Sequence, residues 1–172
     1  MPKNPYLKPG RLSDVIAAIT ALGTYRYYKL SFDTCAERIA NRPDQAERWA
    51  SILREHPEFF RVSDEGKRAS LVWRRQHPKR FDVKRFVEIS REEFDALPPE
   101  ETKLISRRPL DASEITALIT VAVNLHERAL EHQKASRWWL PIATSLLAFL
   151  GAVLGTWLGA PEWMQSILET AG

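Results

Sequence analysis

A stretch without ionisable side chains near the end of the chain is the feature that most constrains its fold. Residues 138–160 read WWLPIATSLLAFLGAVLGTWLGA and contain no Asp, Glu, Lys, Arg or His. A helix that crosses the hydrocarbon core of a bilayer needs about 20 predominantly apolar residues. The stretch therefore predicts a single transmembrane helix over 138–160, and the alternative interpretation is a long helix buried in a globular core.

Tryptophans lie at both ends of this stretch. Tryptophan is enriched at the two water interfaces of a membrane, because its ring is apolar and its N–H can reach water. The predicted interface anchors are Trp138, Trp139, Trp157 and Trp163. Their spacing along a helix matches the thickness of a bilayer and supports the same prediction.

The charges that flank the stretch predict its orientation. All 25 Lys and Arg residues lie at or before Arg137, whereas the tail 161–172 contains only Glu162 and Glu169 as charged groups. Cytoplasmic flanks of membrane helices are rich in Lys and Arg. We therefore expect a tail-anchored, single-pass protein of a bacterial-type inner (cell) membrane, with its N-terminal part in the cytoplasm and its short C-terminal tail outside. The first residues contain no apolar run typical of a signal peptide.

Three glycines within the stretch are spaced four residues apart. Gly151, Gly155 and Gly159 form two overlapping G-x-x-x-G motifs and leave one side of the helix without side chains. Small residues at this spacing let two membrane helices approach closely. The motif predicts a homodimer that packs through this glycine face.

The segment 111–137 predicts a long amphipathic helix that leads into the membrane. Asp111 and Glu114 have the spacing of a capping box. A seam of apolar residues follows at helical spacing: Ile115, Leu118, Ala122, Leu125 and Ala129. The seam either pairs two protomers above the bilayer or packs back on the chain's own N-terminal domain, and the sequence leaves both open. His126 and His132 are six residues apart, so they do not share a face as metal ligands would, and we expect both to be solvated.

The N-terminal part, residues 1–75, predicts a helix, a short extended link, two further helices and a hairpin. The first helix is expected in 11–23 with Ser13 as its N-cap, the second in 31–41, and the third in 43–56. The hairpin turns at Asp64-Glu65-Gly66. Trp73 alternates in phase with Leu71, which places it in the predicted core.

This order of elements resembles a winged helix over residues 11–75. The resemblance implies a domain that is mainly α-helical with a small β-hairpin wing, to which the long C-terminal helix and the transmembrane helix are added. Winged helices commonly bind DNA through the third helix and the wing, and others serve as protein-interaction or dimerisation modules. The fold alone does not decide between these roles.

Residues 76–110 predict a basic and then acidic connector that contains four prolines. A short strand is expected over 85–89, followed by a helix capped by Ser90 and Glu93. Residues 67–91 contain nine Lys and Arg against two acidic residues. The residues of this block predicted to bind a polyanion are Lys67, Arg68, Arg74, Arg75, Lys79, Arg80, Lys84 and Arg85. The ligand is either the phosphate backbone of a nucleic acid or anionic lipid, and the alternative is a solvated basic face balanced by the acids that follow.

The sequence offers little for catalysis. It contains no phosphate-binding loop, dinucleotide fingerprint, zinc-protease motif or nucleophile elbow. The only cysteine, Cys35, has no histidine near it in sequence and predicts a packing residue. We therefore expect no catalytic residue, no cofactor and no metal site, and hence a protein that is not an enzyme.

The expected function is that of a membrane-anchored, cytoplasmic winged-helix module that binds an unknown protein partner and regulates it at the bilayer. Two alternatives use the same parts: a membrane-tethered DNA-binding transcription regulator and a membrane-disrupting effector. The third helix mixes acidic residues such as Glu47 and Glu55 with its basic ones, so nucleic acid is a possible but not the favoured partner.

Overall fold

The computed structural model of the protein describes residues 4–135 and 139–158. Contacts divide the chain into two units, 1–129 and 130–172. The described residues are mostly helical and include two small antiparallel sheets.

The described helices confirm the predicted succession of elements in the N-terminal part. The helices are α1 (Arg11–Thr24), α2 (Phe32–Ala40), α3 (Ala46–Glu55), α4 (Arg91–Asp95), α5 (Pro99–Thr102), α6 (Ala112–Ala135) and α7 (Trp139–Leu158). The strands are β1 (Leu30–Ser31), β2 (Phe60–Val62), β3 (Arg68–Leu71), β4 (Phe81–Asp82), β5 (Val87–Glu88) and β6 (Ile105–Ser106). Short 3-10 helices cover Pro5–Leu7, Pro43–Gln45 and Trp73–Gln76.

The first sheet has the strand order β1-β3-β2. β2 and β3 form the predicted hairpin, with Phe60 opposite Leu71 and Val62 opposite Ala69. Gly66 has a φ of 68° in the connecting turn, a left-handed conformation that glycine adopts without strain. The element order is the one on which the winged-helix resemblance rests, and that resemblance stays a prediction.

Of the N-caps predicted for the first two helices, one is found in the structure and the other is not. Ser31 caps α2, because its hydroxyl accepts a hydrogen bond from the Thr34 N–H at 3.2 Å. Ser13 was predicted to cap α1, and this is wrong: Gly10 is the N-cap in a left-handed conformation, and the Ser13 hydroxyl donates to its carbonyl at 2.7 Å. α1 also continues through Gly23 to Thr24.

The core lies between α1, α2, α3 and the first sheet. Its fully buried side chains come from the apolar faces predicted by helical and strand periodicity, including Val15, Ile19, Leu22, Leu53 and Leu71. Burial of each such side chain stabilises the fold by about 1.5–3 kcal/mol relative to exposure.

Trp73 does not belong to this core. The prediction that it packs in phase with Leu71 is wrong, because β3 ends at Leu71 and the chain enters a 3-10 helix at Trp73. The strand alternation stops there, so Trp73 is 36% exposed and Arg74 instead points inward, with no exposed surface.

The connector 76–110 forms a second sheet with the order β5-β4-β6. The sequence predicted one strand over 85–89, and only Val87–Glu88 of it is paired, with Phe81–Asp82. Strands β4 and β6 were not predicted, because two-residue strands leave no alternation to detect. α4 begins as predicted, since the Ser90 hydroxyl accepts from the Glu93 N–H at 3.1 Å.

α6 begins with the predicted capping box. The Asp111 carboxylate accepts from the Glu114 N–H, and the Glu114 carboxylate accepts from the Asp111 N–H, both at 2.9 Å. The apolar seam of α6 packs on the N-terminal core, where Leu118, Ala122 and Ala129 are buried. Of the two arrangements left open by the sequence, the structure therefore shows packing within one chain. His126 is not simply solvated, because its Nδ1 lies 2.9 Å from the carbonyl oxygen of Tyr6.

α7 corresponds to the stretch predicted to cross a membrane. Among residues 4–135 and 139–158, no helix is both long and apolar enough to span a bilayer. The transmembrane helix, the membrane anchor and the inner-membrane location are therefore wrong predictions. Pro141, Thr144 and Ser145 all lie near the start of α7, and both hydroxyls donate to the carbonyl of Pro141, at 2.9 and 2.8 Å.

The other residues predicted for the span fall partly outside the described residues. Trp138, Trp163 and Gly159 lie outside them, while Trp139 and Trp157 lie in α7. A Cβ atom at Gly151 or Gly155 would meet no atom within 4 Å, so these two glycines face open space in the described part of the chain. Pairing of two copies through the glycine face stays a prediction. The membrane that was expected to surround this pairing is no longer part of it.

A small polar cluster connects the 3-10 helix at Pro5–Leu7 to the residues that follow α3. The Tyr6 hydroxyl donates to the Glu58 carboxylate, and His56 Nδ1 lies 2.9 Å from the same oxygen. The Tyr6 and His56 rings meet edge to face at 4.6 Å. Burial acts to raise the pKa of Glu58, but the hydrogen bonds from His56 and Tyr6 outweigh it and hold this pKa below its usual value.

This lowered pKa predicts a loss of stability in acid. A carboxylate whose pKa is lower in the folded state contributes stability above its unfolded pKa of about 4.3, and the contribution disappears as pH falls through the folded pKa. In urea unfolding, we expect Glu58→Gln to be less stable than wild type at pH 6 and the difference to shrink below about pH 4. Glu65→Gln, at an exposed turn residue, is the matched control and should show no such pH-dependent difference. A Glu58→Gln difference that stays constant across the pH range would contradict this account.

Candidate functional site

A cleft of about 520 Å³ opens in the first unit between the two small sheets. Pockets of roughly 300–1,000 Å³ are typical of ligand sites. The lining residues come from the edge strands β1 and β6 and from the segments around them. They are Tyr25, Tyr27, Tyr28, Lys29, Leu30, Ser31, Thr34, Arg68, Lys79, Lys103, Ile105 and Ser106.

The cleft is positively charged. Four of its lining residues are Lys or Arg, and none is Asp or Glu. Lys103 is paired with Glu100, with Nζ 2.9 Å from the nearer carboxylate oxygen. For the other three cations, Lys29, Arg68 and Lys79, no carboxylate within the described ranges lies within ion-pair distance. Three positive charges that line one concave surface without a carboxylate partner attract an anion.

The start of α2 adds polar groups to the same cleft. Ser31 and Thr34 both line it, and their hydroxyl oxygens lie 2.8 Å apart. The N-terminal end of a helix carries a partial positive charge, which reinforces the field of the cations. Asp33 in the first turn of α2 is exposed and does not line the cleft.

The two walls of the cleft are joined by a hydrogen bond and by one buried arginine. The Tyr28 N–H donates to the Ser106 hydroxyl at 3.0 Å. Arg74 donates to the carbonyls of Tyr25 at 2.7 Å and Tyr27 at 3.4 Å, on the tyrosine side. It also donates to the carbonyls of Arg107 at 2.6 Å and Arg108 at 3.0 Å, just after β6.

Arg74 also closes the end of α1. Its guanidinium donates at 2.7 Å to the carbonyl of Leu22, one of the last-turn carbonyls that have no partner within the helix. A cation at the C-terminal end of a helix is further stabilised by the helix dipole. Burial, with a smaller contribution from Arg108, lowers the pKa of Arg74 to about 10, which leaves it charged at neutral pH.

The predicted polyanion-binding residues are distributed over several surfaces. Arg68 and Lys79 line the cleft, but Arg74 is fully buried and cannot contact a ligand, so its assignment is corrected to a positioning residue. Arg85 is paired with Glu93 at 2.6 Å. The remaining members of the predicted set do not line the cleft: Lys67, Arg75, Arg80 and Lys84.

Most of the cleft was not predicted from the sequence. Residues 25–30 were expected to form a link, and neither Lys29 nor Lys103 was among the predicted ligand-binding residues. The sequence did contain a signal, because TYRYYK combines three aromatic with two basic residues, a composition found where proteins bind single-stranded nucleic acids. The other wall, Ile105 and Ser106, carries no such signal.

Comparison with known proteins adds no relative. No family model, no curated protein and no solved structure matches the chain.

Proposed function

We propose that this protein is a binding module that holds a phosphate-bearing ligand in the cleft between β1 and β6. The observation that supports the proposal most directly is the set of cations that line it, Lys29, Arg68 and Lys79, without a carboxylate partner. Charge-assisted hydrogen bonds to phosphate oxygens are shorter and stronger than neutral ones, so such a set favours phosphate over a neutral ligand.

The surface that the winged-helix resemblance assigns to DNA gives less support. On α3, Arg48 is bound to Asp14 at 2.7 Å and Arg54 to Glu47 at 3.2 Å. The acidic Glu55 is held by Lys8 at 2.6 Å and Arg11 at 3.1 Å. The basic side chains of α3 are therefore engaged by acids of the same chain, whereas Lys29, Arg68 and Lys79 of the cleft have no carboxylate within ion-pair distance in the described ranges.

Inorganic tripolyphosphate tests the proposal, because it carries the charge and geometry of linked phosphates and nothing else. In calorimetric titration of the full chain, we expect binding that weakens as salt rises. Lys79→Gln should weaken it about tenfold, the cost of one hydrogen bond to a charged group. Lys67→Gln, which removes an exposed lysine that does not line the cleft, is the matched control. Equal affinities for the two variants, or no binding at low salt, would refute the proposal.

A further inference from the structure

Three tyrosines line the cleft beside its cations. Tyr25, Tyr27 and Tyr28 follow the end of α1, and each is half-buried, so each keeps accessible surface. Binding of phosphate alone has no use for aromatic rings. Aromatic side chains bind flat groups by stacking, and nucleobases are flat groups that a phosphate chain carries at regular intervals.

Arginines hold these rings in position. The guanidinium carbon of Arg38 lies 4.1 Å from the centre of the Tyr25 ring, and the Arg38 guanidinium also donates to the Tyr25 hydroxyl at 3.3 Å. The guanidinium carbon of Arg107 lies 5.2 Å from the centre of the Tyr28 ring. Side chains that are already fixed lose little conformational freedom when a ligand stacks on them, which favours binding.

We infer that the cleft binds single-stranded nucleic acid, with bases stacked on the tyrosines and phosphates held by Lys29, Arg68 and Lys79. The inference rests on the proposed function, since the same cations must first bind phosphate. A duplex fits the cleft less well, because its bases are stacked on each other and closed to the tyrosine rings. A strand whose bases are free offers both groups that the cleft is built to hold.

Fluorescence anisotropy of the full chain with a labelled thymidine strand of about 12 nucleotides tests this inference. A strand of equal length and charge that lacks its bases provides the comparison for stacking, and a duplex of the same length provides the comparison for pairing. We expect the thymidine strand to bind most tightly of the three. Its log affinity should fall with log salt with a slope of about −2 to −3, as three or four phosphate contacts require.

Variants separate stacking from charge. Tyr27→Leu should weaken the thymidine strand roughly 5- to 100-fold and the base-free strand of equal charge far less, because the variant loses the ring on which a base stacks. Phe86→Leu is the matched control, since Phe86 is an exposed aromatic residue that does not line the cleft. Lys79→Gln should weaken both ligands.

Two results would overturn the inference. If the base-free strand or the duplex binds as tightly as the thymidine strand while tripolyphosphate still binds, stacking is refuted and the proposed function stands. If tripolyphosphate and all strands fail to bind at low salt, the proposed function fails as well.

Discussion

Replacing Arg74 by methionine is expected to lower the free energy of unfolding by about 3–5 kcal/mol, because each buried carbonyl left without a donor costs about 1–3 kcal/mol and several carbonyls lose theirs. Methionine matches the apolar stem of arginine in length but has no donor. The substitution leaves five backbone carbonyls, three on the α1 side and two after β6, without the guanidinium that binds them. Because Arg74 itself has no exposed surface, water does not readily replace the lost hydrogen bonds.

Urea unfolding followed by circular dichroism measures this loss, and Arg75→Met is the matched control. Arg75 is the next residue and its side chain is exposed, so the control should change stability by no more than about 0.5 kcal/mol. Arg74→Lys should fall between the two, since lysine has three donors on a single nitrogen in place of a planar fork. An Arg74→Met protein as stable as the control would show that the buried arginine does not hold the two walls together.

Which of the two adjacent arginines, Arg74 or Arg75, is buried could not be predicted from the sequence. The two residues are identical in type and adjacent, and both belong to a basic block that reads as a solvated or ligand-binding face. Only Arg74 is buried, because β3 ends at Leu71 and the following 3-10 helix turns the Arg74 side chain inward. The end point of a strand is set by its pairing partners, which residue types at 72–76 do not encode.

The N-terminal helices were predictable for the opposite reason. α1, α2 and α3 have apolar residues at a helical period, and Ser31 provides a local start signal, so each helix is encoded by its own residues. The cleft is different. Its walls come from residues 25–34 and from residues 68–106, and no local pattern states that Tyr28 and Ser106 meet.

α6 was predictable in part: the sequence predicts the helix but not the surface on which it packs. Its helix and its capping box follow from Asp111, Glu114 and the absence of glycine and proline, all local signals. The apolar seam predicts only that one face is covered, because a second copy and the chain's own core are equivalent partners for an amphipathic helix. In the structure, this face of α6 packs on α1 of the same chain. The approach is close: a Cβ atom added to Gly23 of α1 would lie 3.4 Å from the Ile115 side chain of α6. The carbonyl of Gly23 also accepts from the Leu110 N–H at 2.9 Å.

Leu118→Ala tests this placement of the seam, with an expected loss of about 2–4 kcal/mol in the free energy of unfolding. Leu118 is only 6% exposed and belongs to the N-terminal core, so truncation removes buried methyl groups and leaves a cavity. Val121→Ala on the same helix is the matched control, because Val121 is 45% exposed and its loss should cost less than about 0.5 kcal/mol.

The dependence on protein concentration distinguishes the two partners of the seam. If the seam packs within one chain, the urea midpoints of wild type and Leu118→Ala do not depend on concentration, and the substitution leaves the molar mass measured by light scattering unchanged. If the seam pairs two protomers, the midpoint rises with concentration by mass action, and Leu118→Ala lowers the molar mass. The second outcome would mean that, in solution, the apolar face of α6 packs on a second copy of the chain instead of on α1 of its own chain.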